Sequence, residues 1–420
     1  MTLNLYNEDR SHYDPVVILL LISCAFTKHI TPFILAFSDI LFALGITIAL
    51  LRLISQNKIL VPSWSMPVIL IWIWATIPLL EYQNRSYYFE INEFLFSYLK
   101  LIFYSSSAMI AWSYLSNLKM KNIVRSAHLV LVFIFCVGIY QIINGYMDSI
   151  IGVSLPYEFI WTGQDVVFRN YVSSGFELNP FKSFFQEGSQ YARFILIMLF
   201  FILIKDREYF LNNLLTYFLI FSSIFLTFSL TAFSVGFLAF TFGLYSFKDE
   251  IYQRTPSFSP KTLLVIAICI IPIFFLSEFI VARVINRAFD VLAGNDRSSL
   301  YRFVTTYQTA IFSIDKYPIT GSGLGHPSLF FDSFAGKSIL TSGLLETTIT
   351  HSKMHILYAY IAASMGIPGL ILGLSLFYFT ILGIGFRGFL LFFIRLFATG
   401  TFLEVVFWVQ LTFLTLKKNE

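Results

Sequence analysis

Charge is what this chain most lacks. Only 12% of its 420 residues are Asp, Glu, Lys or Arg, about half of the roughly 25% found in ordinary soluble domains. That shortage excludes a water-soluble globular protein. Cysteine is scarce as well. Cys24, Cys136 and Cys269 are its three cysteines, each inside an apolar run and without metal-ligand spacing. They exclude a disulfide framework and read as small buried hydrophobes. The net charge of +4 is too small to mark a basic nucleic-acid footprint, so no nucleic-acid partner is expected. The first fourteen residues are polar and no small-residue cleavage site follows the first apolar run, so no cleavable signal peptide is expected.

What the chain has is grease. It is 57% hydrophobic, with a mean hydropathy of +0.74. Apolar stretches of about 20 residues recur along its length, each long enough to cross a bilayer as a helix. The runs are continuously apolar rather than alternating, which argues against a β-barrel. The expected fold is all-α: a polytopic transmembrane helical bundle of about 11–12 spans. Spans are expected near 15–28, 33–52, 64–82, 92–115, 126–146, 186–204, 210–246 (a hairpin of two), 262–282, 353–384 and 388–416. Trp64, Trp72 and Trp74 lie in the third and suit an aromatic interface belt as well as a functional role. The last region is ambiguous: Gly366, Pro368 and Gly369 can break a helix, and Glu404 sits inside an apolar run.

Positive charge sets the expected topology. Short basic loops at 52–58, 117–125, 205–208 and 248–261 belong in the cytoplasm. Two longer polar stretches then fall on the opposite side. The expected division is N-terminal transmembrane helices at 1–146, a first extracytoplasmic loop at 147–185, central helices at 186–282, a large extracytoplasmic loop at 283–352 and C-terminal helices at 353–420.

The large loop and the helix start after it hold most residues capable of chemistry. Arg297, Arg302, His326, His351 and His355 lie there, with a run from Pro318 to Gly325 reading Pro-Ile-Thr-Gly-Ser-Gly-Leu-Gly. Leu300, Phe303, Val304, Tyr307, Ile311 and Ile314 recur at helical spacing, predicting an amphipathic helix on the membrane surface. The glycines Gly321, Gly323 and Gly325 permit a tight turn and close backbone approach to a ligand, an anionic one included; the plainer reading is a loop turn. His355 stands at the mouth of a helix expected to bend or break at Gly366, where an imidazole can shuttle a proton. His351, one turn earlier, competes with it; an interfacial polar anchor is the plainer role. In the first loop, Arg169 precedes the stretch Phe185-Gln186-Glu187-Gly188-Ser189-Gln190-Tyr191-Ala192, and Arg193 follows it. A Glu entering the bilayer is paired or functional, and a structural pair of Glu187 with Arg193 or Arg169 is the plain alternative.

These residues carry a resemblance. Phe185 to Ala192 is similar to the Phe-x-Glu-Pro-Ser-x-x-Ala stretch of O-antigen and exopolysaccharide polymerases, with Gly188 in place of Pro. Arg302, Tyr307, Pro318, Gly321, Gly323 and Gly325 resemble that superfamily's Arg, aromatic, Pro-x-x-Gly-x-Gly-x-Gly loop. His355 to Gly366 resembles its His-Asn-x-Tyr-Leu helix start, with Ile356 for Asn. Thr227-Phe228-Ser229-Leu230 resembles its Thr-x-Ser-Arg turn, with Leu230 for Arg. The likeness covers roughly 160–385 and points to the O-antigen polymerase (Wzy) family of lipopolysaccharide biosynthesis, within the polymerase/ligase superfamily of integral-membrane glycosyltransferases.

The resemblance implies an inner-membrane enzyme with its active site facing the periplasm, which joins undecaprenyl-diphosphate-linked repeat units. Donor and acceptor glycans and the bilayer are the implied partners, with a chain-length regulator implied by the family; no cofactor or metal is expected. His355, Glu187 and Arg302 are the catalytic candidates. Arg169, Arg297, Arg193, His351 and the three glycines are the substrate-binding ones. Whether His355 or Glu187 acts as base stays open. Two alternatives compete with this reading. An O-antigen ligase shares the layout but is richer in arginine near the hairpin turn, which Leu230 disfavours. A glycan flippase would concentrate ionisable groups at the bilayer midplane, where Arg395, Glu404 and few others qualify.

Overall fold

The structure is a computed structural model, and it describes residues 13–25, 37–81, 89–151, 171–173, 176–178, 188–227, 286, 289–290, 306–327, 357–397 and 404–416. Its helices are α1 (Pro15–Ala25), α2 (Phe37–Gln56), α3 (Ser65–Ala75), α4 (Ile91–Ser116), α5 (Met120–Ile151), α6 (Gly188–Lys205), α7 (Arg207–Asn212), α8 (Leu214–Ser222), α9 (Thr306–Lys316), α10 (Leu357–Phe397) and α11 (Val405–Leu414). A short 3-10 turn, Ile77–Glu81, follows α3. Among the described residues, four stretches are long and apolar enough to cross a membrane: Ser38–Gln56, Ile91–Ser116, Met120–Gln141 and Leu357–Leu376. The chain is an all-α polytopic membrane protein. Strand structure among the described residues is one antiparallel hairpin, β1 (Tyr171–Ser173) and β2 (Phe176–Leu178), with Val172 opposite Glu177. The expected span at 262–282 lies outside the described residues.

The chain divides into two units, Met1–Gly45 with Leu118–Leu292 and Lys418–Glu420, and Ile46–Asn117 with Ala293–Lys417. In the first, α5 is the central helix and packs against α1, α6, α8 and β2. Asp14 starts α1: its Oδ1 accepts from the amides of Val16 at 2.9 Å and Val17 at 3.2 Å, two of the donors a helix N-terminus leaves open. The Asp14 amide in turn donates to Ser126 Oγ on α5 at 2.7 Å. Asp206 caps α7 in the same way, accepting from the Tyr209 amide at 3.0 Å.

In the second unit α10 packs on α9, α3 and α11, and α4 packs on α3 and α11. The tryptophans tie these helices together. Trp72 donates its indole N–H to Ser105 on α4 at 2.8 Å. Trp64 is fully buried, donates to Thr415 Oγ1 at 3.0 Å and packs 6.4 Å from Trp408 of α11. A bilayer offers no water to satisfy such groups, so each indole seeks a protein acceptor. Both therefore fasten one segment of this unit to another.

Helix α10 departs from the expected boundaries. It stays helical over 41 residues, through the expected gap between 384 and 388. No proline falls in that gap, so no residue there lacks the N–H that the backbone ladder needs. The discontinuity comes earlier, at Gly366 (φ +67°), two residues before Pro368.

Candidate functional site

The break in α10 sets a problem that the glycine run solves. Pro368 has no N–H for the Ser364 carbonyl, and the Ile367 amide, which would close on Ala363, turns to the Pro318 carbonyl at 2.8 Å. Unpaired carbonyls in an apolar setting cost several kcal/mol each, roughly. The run Pro318–Gly325 supplies donors. Ser322 N donates to Ala363 O at 2.7 Å and Gly323 N to Ser364 O at 3.0 Å. Ser322 Oγ and Ser313 Oγ of α9 also reach Ala363 O, at 3.0 and 2.5 Å. The Trp74 indole covers the next carbonyl, Met365 O, at 3.1 Å. The run therefore acts as an external cap on a broken membrane helix.

This clasp explains the glycine spacing. Gly321, Gly323 and Gly325 all have positive φ, at 64°, 99° and 82°, a region that side-chain-bearing residues enter only at a cost. Each also turns its Cα against the chain's own atoms. A Cβ on Gly321 would strike the backbone nitrogen of Met365 and sit 2.5 Å from Ser364 C and 2.6 Å from Ala363 O; on Gly323, 2.6 Å from the Phe89 ring; on Gly325, 2.6 Å from Ser97 Oγ. The amides of Gly321, Ser322, Gly323, Gly325 and His326 all donate to protein acceptors: Tyr317 O, Ala363 O, Ser364 O, Tyr360 OH and Gly323 O. The close approach anticipated from the glycines exists, and the chain itself occupies it.

His326 closes the clasp on the other side. It is fully buried and stacks on Phe89 with ring centroids 4.5 Å apart. The Glu90 amide donates to its Nε2 at 2.9 Å, and its Nδ1 lies 2.8 Å from the Leu324 carbonyl. An amide only donates and a carbonyl only accepts, so Nδ1 carries the proton and the ring is neutral. Burial lowers its pKa below the ordinary histidine value, against the smaller opposing pull of its hydrogen bonds and of the Glu93 and Glu90 charges. With the folded-state pKa depressed, this residue's contribution to stability is present above the unfolded value of about 6.5 and fades as pH falls below it.

Helices α9 and α10 are the site's other frame. α9 buries its small and polar face, Thr306, Thr309, Ala310 and Ser313. Ile311, on the apolar face expected to meet the membrane, is 65% exposed within the chain. The two helices run parallel: Tyr307 lies beside Tyr358, ring centroids 5.9 Å apart, and six residues on, Ser313 bonds Ala363.

Arg302, His355, Glu187, Arg169, Arg297 and His351 lie outside the described residues. Arg193 is buried on α6, in the first unit. Trp74, Phe89 and Ser97 went unrecognised as parts of the clasp; an indole on one helix and a polar-start helix such as α4 carry no mark of what they will touch.

Residues 215–374, fewer than half of the chain, match the sequence profile of the family described as O-Antigen ligase. No curated protein matches the chain. The matched stretch holds the clasp, α9 and the break in α10. It supports the polymerase/ligase superfamily that the motifs resemble and a polysaccharide-related membrane enzyme, and it draws no line between polymerase and ligase.

Proposed function

We propose that the chain is a surface-polysaccharide polymerase that joins lipid-diphosphate-linked repeat units on the extracytoplasmic face of the inner membrane. The observation that carries this reading is the parallel α9–α10 pair held by the clasp. Arg302 precedes Tyr307 by five residues and His355 precedes Tyr358 by three. Those links span at most about 18 and 11 Å of extended chain, and in this reading both residues act near the end of the pair where Tyr307 meets Tyr358.

The chemistry needs that combination. An acceptor sugar hydroxyl attacks the donor anomeric carbon, forming the glycosidic C–O bond as the bond to the diphosphate oxygen breaks. Its proton passes to His355 or Glu187, and negative charge gathers on the departing lipid diphosphate. Arg302 is the first cation to meet that charge, with Arg297, Arg169 and Arg193 as further candidates, because a guanidinium fork matches phosphate oxygens in pairs. In this reading Gly321, Gly323 and Gly325 serve by seating the loop that aligns α9 on α10. His351 is a second candidate imidazole for the same step.

The family description favours a ligase as the second reading: the same site would transfer finished polymer to a lipid core. Gene deletion with a glycan gel separates the two. Loss of the polymerase is expected to leave core carrying a single repeat unit. Bare core with lipid-linked glycan accumulating would assign the ligase instead, and repeat units trapped on the cytoplasmic face would indicate a flippase.

A further inference from the structure

We propose that His326 is a positioning residue of this site: a neutral imidazole latch that holds the glycine clasp on the N-terminal turn of α4, and whose protonation releases it. The inference rests on the functional reading above only for its link to glycan transfer. The latch itself rests on geometry.

Two elements meet at the imidazole. From its own loop comes the Leu324 carbonyl, and from the start of α4 the Glu90 amide. Phe89 covers one face of the ring and also fills the space in front of Gly323. One residue before His326, Gly325 seats against Ser97 Oγ and Glu93 O of α4. The loop thus meets α4 and the residues just before it at Gly323, Gly325 and His326, and the imidazole accepts a hydrogen bond there. The titratable groups facing it are the Glu90 and Glu93 carboxylates from α4; from α10, the Tyr360 hydroxyl accepts from the neighbouring Gly325 amide at 3.4 Å.

Protonation changes one atom's role. Nε2 would gain a hydrogen and point it at the Glu90 N–H, placing two donors nose to nose where one bond stood. The charge would also sit fully buried against an aromatic face. The favourable exits are to turn the ring toward the Glu90 and Glu93 carboxylates or to leave the pocket, and either move unfastens Gly323 and Gly325 from α4. The same loop caps Ala363 and Ser364 of α10 and continues directly from α9 through Tyr317. Releasing it from α4 therefore loosens the register of α9 on α10, the pair on which the proposed transfer rests.

The test uses the full chain in lipid nanodiscs. Hydrogen–deuterium exchange of the Gly321, Ser322 and Gly323 amides is followed from pH 7.5 to 5.5, corrected for intrinsic exchange, with α11 amides as the reference. Protection of the clasp is expected to fall at least about tenfold on acidification while α11 holds. His326→Gln keeps an acceptor for the Glu90 amide and cannot titrate. It is expected to keep glycan transfer within about threefold of wild type at pH 7.5 and to lose most of the acid-side decline. Constant protection in the wild-type chain overturns the latch, and needs no variant to fold. Lost protection with unchanged transfer overturns the positioning role. pH-dependent protection in a chain that transfers no glycan at any pH counts against the functional reading alone and leaves the latch standing.

Discussion

Arg302→Ala is expected to lower polymer formation by about 100-fold or more while the protein stays in the membrane at normal level. The size follows from where the charge goes. A departing diphosphate gathers negative charge as the glycosidic bond forms, and a preorganised donor at such a position is worth about 10²–10³ in rate. Arg302→Lys is expected to recover only part of the loss, because an ammonium supplies the charge without the paired geometry. His355→Ala should fall by a comparable factor if it takes the acceptor proton, about 10²–10⁴ for a general base; Glu187→Gln then separates the two candidate bases. The measurement is the polymer ladder together with an immunoblot of membranes. Normal polymer length and amount in Arg302→Ala or His355→Ala would remove the proposed chemistry from this end of the α9–α10 pair.

Gly321→Ala should be among the most damaging single methyls in the described structure. Two costs add. An alanine at φ +64° carries about 1–2 kcal/mol of backbone strain. Its Cβ would also strike the α10 backbone at Met365 and Ser364, and overpacking against atoms that cannot rotate away costs about 1–3 kcal/mol more. The expected loss is about 2–5 kcal/mol, centred on the clasp. Gly45→Ala is the control. Its Cβ would meet the Leu19 side chain at 3.3 Å, and the gain in helix propensity, up to about 1 kcal/mol, offsets the crowding. Thermal unfolding of detergent-solubilised protein distinguishes them: a clear drop for Gly321→Ala and little change for Gly45→Ala. Equal behaviour would mean that the clasp is not under the steric demand described.

Much of this architecture was legible in the chain. The apolar runs gave helices α1 to α6 close to where they stand, and of these α2, α4 and α5 are long and apolar enough to cross a bilayer. Gly366 and Pro368 announced the break in α10, since neither supports an uninterrupted backbone ladder. The glycine run announced a close approach. The object approached was not legible: positive φ and a missing side chain say that something lies near, and only the fold shows that it is Ser364, Phe89 and Ser97. Trp74 read as a belt residue because its acceptors, Ile319 and Met365, are far away in sequence. His326 read as one of several loop histidines, because its neutral form depends on two backbone partners that pattern cannot supply. The β1–β2 hairpin escaped notice as well: three-residue strands are too short to establish an alternating period.

In the proposed mechanism the clasp aligns α9 on α10 so that Arg302 and His355 act together. The direct measurement is cross-linking between Arg302→Cys and His355→Cys, in a chain with Cys24, Cys136 and Cys269 replaced by alanine, using a short bis-maleimide. A Tyr307→Cys, Tyr358→Cys pair serves as the positive control, since those rings lie 5.9 Å apart. The account predicts efficient linkage of both pairs, and loss of the 302–355 link when Gly321→Ala is added. A linked 307–358 pair with no 302–355 product would contradict it.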